Sequence, residues 1–203
     1  MSEKQPHRPE ADALLARGLS LFRAGQYAEA ADVLAQATAL QVTETGCIHL
    51  SLALGQLKHL DAGRKILEGA LITFPRSADL HAYLGTTLRS LGDLDAGMTQ
   101  YERALELNPD HVGALWGLGL ALGLAGRPEE GLAPLWRAVG LAPSFAAPHF
   151  HLGILCLTLG DREESRRQWQ LLKSLSPSYA ERLGQALDSS FLSAPSIPRE
   201  PHV

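Results

Sequence analysis

Apolar residues recur along this chain at the spacing of amphipathic helices, and the predicted helices come in pairs. Residues three or four positions apart lie on one face of a helix, so apolar residues at this spacing predict one buried stripe. In the clearest pair, the first helix carries Leu80, Leu84, Leu88 and Leu91, and the second carries Leu94, Met98, Tyr101 and Leu105. Gly92 separates the two, because glycine readily adopts the left-handed conformation that ends a helix. Residues 78–111 therefore predict a helix-turn-helix unit.

This unit returns at a fixed interval of 34 residues. The interval separates successive prolines and successive glycines: Pro75, Pro109, Pro143 and Pro177, and Gly85, Gly119 and Gly153. A fixed period of this size indicates an array of helical repeats, so we predict an all-α solenoid.

The period also sets the predicted boundaries. Counted back from Pro177, the repeats span 146–179, 112–145, 78–111 and 44–77, with a shorter first copy at 11–43. A capping helix over 179–188 is expected to cover the last repeat, so that the repeat domain spans 11–188. The remaining residues, 1–10 and 189–203, are expected to form flexible tails.

Turn residues, capping residues and small residues recur in the same register. A left-handed glycine is expected between the two helices of a repeat, at Gly25, Gly92, Gly126 and Gly160, and Lys58 holds the same place in the second repeat. The residues predicted to cap the helix after each turn proline are Ser77, Asp110, Ser144 and Ser178. Small residues within both helices, such as Gly85 and Gly97, predict that the two backbones cross closely.

The spacing resembles that of the tetratricopeptide repeat (TPR) family, W-x2-L-G-x2-Y, then A-x3-F, then P. The fourth repeat carries it as Leu115-x2-Leu118-Gly119-x2-Leu122, Gly131-x3-Leu135 and Pro143. The resemblance covers about residues 11–179, although the aromatic first position is lost in every copy. It implies a right-handed superhelix whose first helices line a concave face that binds proteins or peptides.

The inward-facing positions of the family identify a candidate binding surface. They are the second, fifth, sixth, ninth, twelfth and thirteenth positions of each first helix, and here many of them are apolar. The candidate residues are Leu15, Leu19, Phe22, Ile48, Leu52, Tyr83, Thr86, Arg89, Trp116, Leu120, Phe150, His151 and Ile154. Exposed apolar surface of this extent marks an interaction site, with Trp116 and Phe150 as typical anchors. The alternative is that some of these residues are half-buried in packing or covered by the chain's own tail.

Charge and composition narrow the expected partners. The net charge of −4, from 18 basic and 22 acidic residues, argues against nucleic acid, because phosphate binding needs a basic surface. Without a secretory signal or a membrane-spanning segment in the sequence, the expected location is cytoplasmic. One helix interleaves Arg162, Arg166, Arg167 and Lys173 with Glu163 and Glu164. It is expected to be a solvated face, and the alternative is a site for an acidic partner.

Histidine and cysteine give no indication of catalysis. His149 and His151 point to opposite sides of a helix, so one metal ion could not easily bind both, and a structural role is expected. Cys47 and Cys156 occupy packing positions three repeats apart and are expected to be buried thiols. Since no nucleophile–base pair, phosphate-binding loop or metal-ligand spacing occurs, we expect neither enzymatic activity nor a cofactor.

These observations favour a non-enzymatic scaffold or adaptor that binds a peptide or helix of a partner protein in an apolar concave groove. Two alternatives remain open at this stage. One is a structural protein that assembles with itself, and the other is a chaperone for a secreted or membrane subunit. Size-exclusion chromatography at several concentrations would distinguish the adaptor from the self-assembling protein.

Overall fold

The regular elements of the protein are α-helices throughout residues 8–192, which are the residues that the computed structural model describes. The helices are α1 (Arg8–Arg23), α2 (Tyr27–Leu40), α3 (Glu44–Gln56), α4 (Leu60–Thr73), α5 (Ala78–Leu91), α6 (Leu94–Leu107), α7 (Val112–Leu124), α8 (Pro128–Leu141), α9 (Ala146–Thr158), α10 (Arg162–Leu175) and α11 (Pro177–Leu192). Five pairs and one further helix confirm the predicted fold class, the all-α TPR solenoid.

The helices form two compact units, and the division between them falls after Ala121. In the first unit each helix from α1 to α6 packs on the next one in the chain, and two apolar clusters fill the space between them. In the second unit α9 packs against α8, α10 and α11, and one apolar cluster joins α9, α10 and α11. Each unit therefore builds its core from neighbouring helices, as a repeat protein does.

The turns inside the repeats are those that the sequence predicts. Gly25, Gly92, Gly126 and Gly160 have positive φ, and so does Lys58, at 65°. At Gly92 the backbone N–H donates to the carbonyl groups of Arg89 and Leu88, so these carbonyl groups at the end of α5 have a hydrogen-bond donor. Lys58 adopts the same conformation with a Cβ in place, which costs energy that glycine avoids.

The small residues mark the helix crossings within the first unit. A Cβ added at Gly85 on α5 would lie 3.0 Å from the carbonyl oxygen of Gly97 on α6. A Cβ added at Gly63 on α4 would lie 3.0 Å from Oγ of Ser51 on α3. Such distances leave no room for a larger side chain, so the predicted close approach is confirmed in both pairs.

The capping prediction holds at one position out of four. Ser77 caps α5, and its Oγ accepts from the backbone N–H of Leu80 at 3.2 Å. At α7 the capping residue is His111 and not Asp110. The Nδ1 atom of His111 accepts a hydrogen bond from the backbone N–H of Ala114 at 3.0 Å. The predictions for Ser144 and Ser178 are wrong, because α9 begins after Phe145 and α11 begins at Pro177. Proline suits that position, since the first helical N–H has no partner within the helix.

Both outer helices extend past the predicted boundaries. The first helix begins at Arg8, within the segment 1–10 that was expected to be a tail, and α11 continues to Leu192 rather than ending at 188. The other residues of the two expected tails lie outside the described part of the chain.

Candidate functional site

The candidate site in the first unit is a cleft between α3 and α5. It has a volume of about 180 Å³ and is lined by Ser51, Leu52, Gly55, Gln56, Leu60, Tyr83, Thr86, Thr87 and Ser90. Three predicted residues, Leu52, Tyr83 and Thr86, meet here. The polar residues Gln56, Thr87 and Ser90 were not assigned to the site from the sequence. Gln56 and Ser90 could have been found, because they occupy the thirteenth, inward-facing position of their helices.

Hydrogen bonds and packing hold the polar side of this cleft in place. The Thr86 hydroxyl donates to the carbonyl of Ala82 at 3.1 Å and accepts from the Tyr101 hydroxyl at 3.1 Å. Tyr101 is completely buried, so it fixes the orientation of Thr86 from behind. Burial, with the nearby carboxylate of Asp79, raises the pKa of Tyr83, which keeps its hydroxyl protonated and able to donate a hydrogen bond.

Arg89 lies one helical turn beyond Thr86 on α5, half-buried. Its Nε is buried and has no hydrogen-bond partner among the described residues. An unpaired guanidinium N–H is a strong donor, because arginine stays charged at every physiological pH. Arg89 directly precedes the lining residue Ser90 on α5, but it does not itself line the cleft, whose lining residues carry no charge.

The other predicted residues of the first unit do not line this cleft. Leu15 and Phe22 pack against the apolar cluster of α2 and α3, and the Phe22 ring meets the His49 ring edge-on with centroids 5.5 Å apart. Ile48 is buried in the cluster of α3, α4 and α5. Leu19, Trp116 and Leu120 are half-buried. The apolar pattern of the first helices thus combines core and surface positions.

In the second unit α11 covers the predicted anchor Phe150. The Phe150 ring stacks on the Tyr179 ring at a centroid distance of 4.9 Å, and the guanidinium of Arg182 lies 4.6 Å from its centre. Phe150 is only 6% exposed. His151 meets Phe150 edge-on at 5.1 Å, and Ile154 packs on the same cluster. The role of Trp116 and Phe150 as anchors for a partner stays a prediction.

His149 has the structural role that the sequence predicts, and His81 has the same role. His149 is buried, and its ring nitrogens lie 2.6 Å from Oε1 of Gln168 and 2.9 Å from the carbonyl oxygen of Pro143. His81, at the same position two repeats earlier, makes the equivalent contacts with Gln100 at 2.8 Å and with the carbonyl of Pro75 at 3.4 Å. Each histidine therefore ties a turn proline to the second helix of its own repeat.

The cysteines are buried and unpaired. Burial, with the carboxylates of Asp161 and Glu164, raises the pKa of Cys156 to about 11, and burial raises the pKa of Cys47 as well. Both are therefore thiols at neutral pH and poor nucleophiles. Within residues 8–192 no group of three or more His, Cys, Asp or Glu side chains could hold a metal ion. None of the helices in this range is long and apolar enough to cross a membrane.

The charged helix α10 pairs half of its six charged residues within the helix. Arg167 forms ion pairs with Glu163 and Glu164 of the same helix. Arg162 donates from Nη2 to the carbonyl oxygen of Leu187 on α11, at 2.7 Å. These bonds give two of the four basic residues a local role, and Arg166 and Lys173 remain exposed.

Comparison with known proteins agrees with this architecture. A TPR repeat model matches residues 85–126, and a second tetratricopeptide repeat model matches residues 3–41. No curated protein sequence matches the chain.

Solved structures with the same fold are available. TTC0263, a thermophilic TPR protein in Thermus thermophilus, superposes with a TM-score of 0.74 and 18% identity over 90% of this chain and 99% of its own. MamA from Desulfovibrio magneticus RS-1 gives 0.67 and 20%, over 83% and 96%. YrrB, described as a TPR protein with an unusual peptide-binding site, gives 0.62 and 19%, over 90% and 94%. The two matched segments are therefore tetratricopeptide repeats, and the chain has the fold of tetratricopeptide repeat proteins.

Proposed function

We propose that this protein is a non-enzymatic interaction scaffold that binds a peptide or helix of a partner protein. The observation that carries the proposal is the α3–α5 cleft, where inward-facing positions of two successive first helices meet. Leu52 offers an apolar contact, and Tyr83 and Thr86 offer hydroxyl groups. Arg89, which precedes the lining residue Ser90, would supply a cation next to the cleft. Apolar contact for affinity with a few fixed polar groups for orientation is the usual composition of a peptide-binding groove.

The proposed ligand is a short segment with apolar side chains and one acidic group. The apolar side chains would pack on Leu52 and Tyr83, and the acidic group would pair with Arg89, whose charge makes a carboxylate a better match than a second cation. The fold of YrrB, which is described with an unusual peptide-binding site, supports a peptide as the class of ligand.

A displayed library of random peptides tests the proposal on the full-length chain. We expect convergent sequences that combine apolar residues with Asp or Glu, and the double variant Leu52→Ala/Tyr83→Ala should bind a selected peptide at least about 30-fold more weakly, which is about 2 kcal/mol. Ile72→Ala is the matched control, since Ile72 is an apolar side chain on the second helix α4 and is 85% exposed. Equal binding by the double variant, or loss of binding only in Ile72→Ala, would place the site elsewhere.

A further inference from the structure

The second unit has a groove between α10 and α11 that is separate from the cleft of the first unit. Its α10 wall carries Arg166, Trp169 and Lys173, and its α11 wall carries Glu181, Gly184 and Asp188. In every preceding repeat a first helix is followed by its antiparallel second helix. The α11 helix resembles a first helix, and residues 8–192 contain no second helix to follow it. At the earlier repeats, the chain continues at this place into a second helix. The groove therefore lies where such a helix would pack.

Trp169 lies at the centre of this groove and is incompletely covered. Tyr101, two repeats earlier at the same position, is completely buried, and a Cβ added at Gly85 or Gly117 would collide with its ring. Trp169 has a similar contact, since a Cβ added at Gly184 would lie 3.1 Å from its Nε1, but the residue is only half-buried. Lys173 extends over the ring, with Nζ 3.7 Å from the centroid. An exposed lysine has a flexible stem and can move aside for a ligand.

The chain that follows α11 has a pattern suited to an aromatic groove. Residues 193–203 read SAPSIPREPHV, with Pro195, Pro198 and Pro201 at intervals of three. A polyproline II helix has three residues per turn, so prolines at this interval share one edge. Proline-rich segments in that conformation bind grooves lined by aromatic side chains. We propose that residues 193–203 bind in the α10–α11 groove of their own molecule, with the prolines against Trp169.

The length of the segment and the charges of the groove agree with this placement. At 1.5 Å per helical residue, the way back along α11 from Leu192 to Pro177 is about 22 Å, and eleven residues of polyproline II extend about 34 Å. Once the chain reverses direction after Leu192, the segment is therefore long enough to cover the groove. Arg199 and Glu200 bring one charge of each sign, matching an acidic α11 wall and a basic α10 wall.

The test follows the indole N–H signals of the full-length chain, labelled with ¹⁵N. The protein has three tryptophans, and Trp169→Phe identifies the signal of Trp169. The test variant is Pro195→Gly/Pro198→Gly/Pro201→Gly. The matched control is Ser193→Gly/Ala194→Gly/Ser196→Gly, which introduces as many glycines and keeps the prolines together with Arg199 and Glu200.

We expect the test variant to shift the Trp169 signal by more than its linewidth, leaving the signals of Trp116 and Trp136 in place. The control variant should leave all three in place, and a synthetic 193–203 peptide added to the test variant should restore the original Trp169 signal. An unchanged Trp169 signal in the test variant, or an equal shift in the control, would overturn the proposal. A wild-type Trp169 signal that moves on tenfold dilution would also overturn it, since the occupant would then be a second copy of the chain.

Discussion

The paired histidines show how one residue joins two parts of a repeat. His149 and His81 have the same partners, but His149 is buried and has the shorter bonds. Loss of a buried partner leaves polar groups without hydrogen bonds, at about 1–3 kcal/mol for each group. We therefore expect His149→Ala to lower the free energy of unfolding by at least about 2 kcal/mol, and His81→Ala to lower it by less. Urea denaturation of both variants measures the difference, and equal losses would contradict the importance of burial.

Glycines that look alike in the sequence have different structural roles. A Cβ at Gly85 would lie 2.9 Å from the Tyr101 ring and 3.0 Å from the carbonyl of Gly97, whereas nothing lies within 4 Å of a Cβ added at Gly69. Gly85→Ala should therefore cost about 1–3 kcal/mol through overpacking. Gly69→Ala should stabilise α4 by about 0.5–1 kcal/mol, because alanine is the better helix residue. Thermal unfolding compares the two, and an unchanged or raised melting temperature of Gly85→Ala would show that α5 and α6 do not cross closely at Gly85.

Some site residues could not be assigned from the sequence alone. Phe150 occupies a position that faces inward in the family, and its burial depends on where Tyr179 and Arg182 of a later helix come to lie. Thr86 was predicted, but its bond to Tyr101 depends on the rotation of α6 against α5. Periodicity identifies the face of a helix that is apolar. It does not identify the neighbour that covers this face.

At the scale of the helices, the sequence predicts their number and their turns better than their ends. The period of 34 and the left-handed residues depend on local conformation, which the chain encodes residue by residue. A cap depends on the residue at which the helix starts, and a shift of one or two residues moved the cap from Asp110 to His111 and left Ser178 within α11. Caps that were not predicted are Thr43, Asp93 and Asp161, which accept N–H groups at the starts of α3, α6 and α10.

Lys58 gives a direct test of the turn between two helices. It has φ of 65°, which is strained for a residue with a Cβ, and it stands where the other four repeats have glycine. Lys58→Gly should therefore raise the free energy of unfolding by about 1 kcal/mol. Gly92→Ala is the reciprocal change at φ of 90° and should lower it by a similar amount. Guanidinium denaturation measures both, and a destabilising Lys58→Gly would show that the lysine side chain makes a compensating contact.

At the scale of the whole molecule, a repeat protein is expected to distribute stability unevenly. Each repeat contacts its neighbours, so its stability is the sum of local terms and nearest-neighbour interfaces rather than of one central core. The second unit depends on α11, where Leu183 is completely buried among Phe150, Leu172, Ala180 and Leu187. A defect there should therefore weaken nearby helices first and distant helices little.

Leu183→Ala tests this expectation on the full-length chain. Truncation of a buried leucine costs about 2–5 kcal/mol, because it removes apolar contacts and leaves a cavity. Amide hydrogen exchange should become faster in α9, α10 and α11, whose shared cluster loses its central side chain, and should stay nearly unchanged in α1 to α5. Gln185 is exposed on the same helix, so Gln185→Ala should not change the amide exchange rate of any helix by a comparable amount. Faster exchange by the same factor in every helix would instead show that the chain unfolds as one cooperative body, in which the interfaces between repeats are stronger than the repeats themselves.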